Sequence, residues 1–178
     1  MRSNCFGSFD NMSIERLYVH RSIYDSFVPA LVERVSSLRL GIGFDYESDI
    51  GSLISHDQLE KVSAHVDDAV SKGARVLTGG KARPDIGPFV FEPTVLEGVS
   101  EEMMLCRGET FGPVIAVTAF DSDDEAIAHA NDSDYGLNAS VWGSPPRATA
   151  VAQRIQAGSV NVNEGFTASW ASTDAPMG

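Results

Sequence analysis

Hydrophobic positions along this chain change period several times, and each change marks an element. Leu17 to His20 is a short apolar stretch that reads as a strand, and Ile23, Phe27, Leu31, Val35 and Leu38 then fall near one stripe of a helix. After the breaker Gly41-Ile42-Gly43, Ser55 and Gln58 have capping-box spacing ahead of Leu59, Val62, Val66, Ala69 and Val70. Gly73 is placed to end that second helix. Arg75 to Thr78 reads as a strand running into Gly79-Gly80. Phe89 to Leu96 is extended but interrupted by Pro93, which predicts an edge or a bend.

Pro113 to Phe120 carries Val114, Ile115, Val117 and Phe120 in a nearly continuous apolar run, the pattern of a central strand covered on both faces. Ser122 and Glu125 repeat the capping-box spacing before Ala126, Ile127 and Ala130, and Gly136 turns the chain into a strand at Asn138 to Trp142. Pro145 and Pro146 open another helix with Val151 and Ile155 on its apolar stripe; Gly158 is expected to close it before a strand at Ser159 to Asn163. This βαβαβ-like alternation predicts an α/β fold, a mostly parallel sheet with helices on its faces. The two successive helices flanking Gly41 to Gly51 leave open two sub-layers within the first 160 residues.

Composition narrows the function classes. With 43% hydrophobic and 21% charged residues in 178, the chain is an ordinary globular one. Its net charge of -12 repels phosphate backbones and anionic lipid, so nucleic acid and membrane are not expected partners, while a small anionic metabolite in a local pocket is still compatible. The two cysteines, Cys5 and Cys106, form no disulfide framework or zinc spacing, and a reducing cytoplasmic setting is the expectation. No run approaches the length of a membrane span. The histidines at 20, 56, 65 and 129 lack paired ligand spacing and read as surface or cap residues, so no metal is assigned.

The most specific string is Gly108-Glu109-Thr110-Phe111-Gly112-Pro113-Val114, which resembles the E-x-F-G-P-V signature of the aldehyde dehydrogenase superfamily. Four further blocks resemble that family in the same order: Ser13 to His20, Gly51 to Ser55, Asn131 to Asn138, and Gly158 to Glu164. The resemblance runs from about Ser13 to Gly178 and is nearest the succinate-semialdehyde branch, with residues 1–12 divergent and 13–178 a partial catalytic domain without a cofactor domain. It implies that Glu109 accepts hydrogen bonds from the nicotinamide ribose hydroxyls of NAD or NADP and that Phe111 packs beside that ribose. A carboxylate suits the first role because its two oxygens match a vicinal diol. Without the resemblance, Glu109 would read as an exposed strand-end charge and Phe111 as ordinary core.

The family oxidises an aldehyde through a cysteine thioester, hydride passing to NAD(P) and a Glu-activated water releasing the acid. The expected G-Q-x-C nucleophile string has no match before Ser13, where the chain reads Phe6-Gly7-Ser8-Phe9-Asp10-Asn11-Met12. Cys5 lies upstream of that place and reads as a terminal or packed thiol; Cys106 reads as core. No string like the general-base Glu-Leu-Gly-Gly-Lys occurs, and Gly41-Ile42-Gly43 lacks the third glycine of a dinucleotide fingerprint. No catalytic residue is therefore assigned, and the chain alone is expected to bind no cofactor and to be inactive. Ser169, in Glu164 to Trp170, lies where semialdehyde-oxidising members place a hydroxyl for the substrate's distal carboxylate, although a loop serine that turns the chain fits the pattern as well. Trp170 would line a substrate tunnel or fill core. Pro176-Met177-Gly178 resembles the start of a segment that leads to the family's closing strand, so with the apolar strand at Pro113 to Phe120 an edge left unpaired by that strand and self-association are expected. The other reading is a non-catalytic α/β binding or subunit-interaction module.

Overall fold

A computed structural model describes residues 14–43 and 47–165 of the chain. They belong to two compact units that divide between residues 119 and 120. In the first unit, β1 (Arg16–His20) leads into α1 (Arg21–Ser36), and α2 (His56–Ser71) is followed by β2 (Arg75–Thr78) and β3 (Thr94–Glu97). A short α3 (Met104–Arg107) then precedes β4 (Val114–Phe120). The four strands form one sheet in the order β1-β4-β3-β2. β3 runs parallel to β4, Thr94 facing Val114, whereas β2 is antiparallel to β3 with a register shift between Val76 and Thr78. The sheet is thus mixed-parallel.

Strand alternation sorts the core into two faces. Leu96, Val114 and Ala116 pack with Val62, Val66 and Ala69 of α2, while Val95 and Val117 of the same strands pack with Val28 and Val35 of α1. Residues one position apart on β3 and β4 serve different helices, which puts α1 and α2 on opposite faces. Pro113 to Phe120 is central as expected, since β4 lies between β1 and β3.

The stripe read along the sequence for α1 holds at Leu31 and Val35 but not at Ile23 and Phe27. Ile23 and Phe27 are exposed, whereas Val28 and Val35 are buried, with Tyr24, Leu31 and Val32 beside them. A helix carrying apolar residues on more than one side leaves its orientation to the sheet it covers. In α2 the expected stripe is buried at Val62, Val66 and Ala69, and Gly73, at φ 102°, follows its end. Ser55 caps it, its Oγ accepting from Gln58 N at 3.2 Å.

In the second unit α4 (Asp123–Asn131), β5 (Asn138–Val141), α5 (Pro145–Ala152) and β6 (Ser159–Val162) follow in order, and β5 pairs with β6 in parallel. Here Ser122 caps α4, its Oγ accepting from Glu125 N at 3.2 Å, and Glu125 Oε2 reaches back past the cap to accept from Asp121 N at 2.8 Å. Helix α5 starts on Pro145 and Pro146 but stops at Ala152, well before Gly158. Gly158 instead leads into β6, its N–H donating to Gly136 O at 2.7 Å. The pair β5–β6 is a separate sheet from β4, so the last-third alternation does not build one continuous sheet. Among the described residues no helix is long and apolar enough to cross a membrane.

Candidate functional site

Between the end of α3 and the start of β4 the chain must turn back toward the sheet, and the loop 108–113 makes that turn. Glu109 is half-buried, Thr110 is buried, and Phe111 keeps 41% of its surface exposed. Phe111 is also one of two non-glycine residues described with positive φ, at 51°. For a bulky side chain that left-handed conformation costs on the order of 1–2 kcal/mol, and it persists only where neighbouring groups determine it.

Those neighbours come from two other elements of the same unit. Glu15, just ahead of β1, accepts through Oε1 from Thr110 N and from Phe111 N, both at 2.9 Å. Gln58, in the first turn of α2, donates through Nε2 to Thr110 O at 2.7 Å and to Phe111 O at 3.0 Å. His65, two turns further along α2 and on its buried stripe, pairs its Nδ1 with Thr110 Oγ1 at 3.1 Å. At Gly112 an added Cβ would stand 2.5 Å from Val62 Cγ2, so the loop approaches α2 more closely than any side chain allows.

Electrostatics follow from this enclosure. Burial pushes the Glu15 carboxyl above its ordinary range; the Phe111 and Thr110 N–H groups and Lys61 oppose the shift, and the Glu109 charge adds to it. Burial lowers the His65 imidazole, Lys61 lowers it further, and Asp68 opposes them. The half-buried Cys106 thiol is raised by burial, which favours the inert thiol over the thiolate.

The sequence-predicted cofactor residues Glu109 and Phe111 are thus brought together on one tightly held loop. Glu109 is not the fully exposed charge, and Phe111 not the core residue, that their plain readings would make them. Ser169, Trp170 and Cys5 lie outside the described residues. His20 is a cap, its Nδ1 lying 3.2 Å from Ser22 N, and His56 and His129 are exposed. His65 departs from the surface-or-cap expectation: it is 5% exposed because it shares the face of Val62, Val66 and Ala69. That helical spacing was the signal available for it. By its spacing Gln58 reads only as a capping-box member, whereas its side chain serves the loop. For Glu15 no local pattern was available, since its partners lie about a hundred positions away in sequence.

Among the described residues no hydrogen-bond donor reaches the Glu109 carboxylate, and the exposed side chain of Phe111 lies two residues further along the same loop. Comparison with known proteins gives these residues their setting. A protein from Mycolicibacterium smegmatis, provisionally assigned as a succinate-semialdehyde dehydrogenase using NADP(+), is 52% identical over 177 residues, covering 98% of this chain and 34% of its own length. The crystal structure of succinate-semialdehyde dehydrogenase from Burkholderia pseudomallei superposes with a TM-score of 0.77 at 37% identity, covering 84% of this chain and 31% of that one. Betaine aldehyde dehydrogenase from Staphylococcus aureus, solved in complex with NAD+, superposes with a TM-score of 0.79 at 39% identity, with 84% and 31% covered. The chain spans about a third of the length of the relatives it matches. Residues 10–178 match the description of the aldehyde dehydrogenase family, and with a fold shared at such identity the chain belongs to that family.

Proposed function

We propose that this chain is part of the catalytic domain, over residues 13–178, of an NAD(P)-dependent dehydrogenase that oxidises an aldehyde, succinate semialdehyde, to its carboxylic acid. The observation that carries the reading is the loop at Glu109 and Phe111, where a carboxylate and an exposed ring are presented on a backbone held by hydrogen bonds. When bound, the nicotinamide cofactor would supply the hydride acceptor. Glu109 would accept from the ribose hydroxyls and orient them, while Phe111 would cover the ribose and exclude water from that side. Ser169 would donate to the distal carboxylate of the semialdehyde. Similarity to relatives named for succinate semialdehyde and NADP(+) supports the substrate class and favours NADP over NAD.

The test uses the protein at the full length of its relatives, with the Glu109→Gln variant in single-turnover kinetics. The amide loses one of the two acceptor oxygens, so hydride transfer should slow by about tenfold or more while the dissociation constant of succinate semialdehyde changes little. An unchanged transfer rate with a tenfold weaker aldehyde would contradict the role assigned to Glu109. As an isolated 178-residue chain, the protein is expected to self-associate in a cytoplasmic setting.

A further inference from the structure

Neither Glu15 nor Gln58 would touch the ribose on this reading, yet together they take all four backbone hydrogen-bonding groups of Thr110 and Phe111. Glu15 Oε1 receives both N–H groups at 2.9 Å, and Gln58 Nε2 reaches both carbonyls, at 2.7 Å and 3.0 Å. A carbonyl and an amide turned this way cannot enter a sheet or helix ladder, so without those side chains the dipeptide would have no reason to keep its left-handed step. The two clamps come from separate parts of the unit's chain, one ahead of β1 and one at the start of α2, and meet at this dipeptide.

We propose that Glu15, aided by Gln58, is a positioning residue for the cofactor loop, holding Thr110 and Phe111 so that the Glu109 carboxylate is presented to the ribose. The proposal rests on the assignment of Glu109 to the cofactor. Glu15 acts through an acceptor oxygen rather than by packing. Its carboxyl sits where burial raises it and where Glu109 adds repulsion, a placement that apolar packing does not call for. The two N–H contacts are what offset that placement.

Two readouts test the pair of claims separately. In the chain itself, amide hydrogen exchange at Thr110 and Phe111 reports the clamp directly. Glu15→Ala should speed both amides by about tenfold, and Glu15→Gln, which keeps one accepting oxygen, should hold them within about threefold of the parent. In the protein at its relatives' length, the NADP dissociation constant should rise by about tenfold in Glu15→Ala and recover in Glu15→Gln, with the aldehyde KM unmoved. Circular dichroism and thermal unfolding check that each variant is folded. If Glu15→Ala does not fold, Gln58→Leu should loosen the same two amides from the carbonyl side.

Unchanged exchange at both amides in the folded variants would overturn the proposal. So would normal NADP affinity in Glu15→Ala when Glu109→Gln weakens it. Normal affinity in Glu109→Gln itself would sink the ribose assignment instead, and with it the role of Glu15 in cofactor binding.

Discussion

His65 shows how one side chain ties the core of α2 to the candidate site and makes the fold sensitive to acid. Its imidazole is 5% exposed and lowered from an ordinary 6.5, first by burial and then by Lys61, with Asp68 partly opposing. A histidine lowered on folding leaves stability intact above its unfolded value, and stability falls as the pH drops from there toward the folded value, because the unfolded chain takes up the proton first. Urea midpoints should therefore decline from about pH 7 to about pH 5, and His65→Gln should show a shallower decline over that window. Equal slopes for the two proteins would show that His65 carries no such linkage. Glu15 works in the opposite sense: a carboxyl raised on folding favours the native state at low pH and loses that contribution as the pH rises through its folded value. Comparison of each variant with its parent, rather than one absolute curve, separates the two.

Helix α1 shows at the level of elements how periodicity alone places only part of a face. Its sequence carries two overlapping apolar stripes that share Leu31 and Val35, one reaching back through Ile23 and Phe27 and one through Tyr24 and Val28, and both fit helical spacing. Only contact with Val95 and Val117 of the sheet selects the second. Val28→Ala should accordingly cost about 2 kcal/mol in chemical unfolding, whereas Phe27→Ala, at a site 40% exposed, should cost below about 1 kcal/mol. The reverse order would mean that α1 packs on the other stripe. Where a single residue type carries its own local mechanism, reading was easier. Ser55 and Ser122 cap as their spacing predicts, because the hydroxyl and the N–H it accepts from lie within one turn.

For the whole molecule, several large apolar side chains face solvent: Ile54 at 90%, Trp142 at 68% and Ile14 at 60% exposure. Relatives about three times longer contain much more chain than this one, and surface of this kind favours association when nothing covers it. Sedimentation of the isolated chain should show concentration-dependent species together with binding of a hydrophobic dye. A monomer at all concentrations, with no dye bound, would refute this expectation.

By itself the sequence determined the elements whose signals are local: the capped starts of α2 and α4, the prolines opening α5, the strand at Val114 to Phe120, and the α/β class. It also carried the family, through Glu109, Phe111 and the blocks around them, because those short strings are contiguous. Tertiary structure decided which stripe of α1 is buried, that β5–β6 forms its own sheet, and that α5 stops before Gly158. It alone joined Glu15, Gln58 and His65 to the loop at Thr110 and Phe111. Those contacts span 45 to 96 positions of sequence, and no periodicity or cap rule reaches that far; they exist because the sheet and α2 carry the three side chains to one dipeptide.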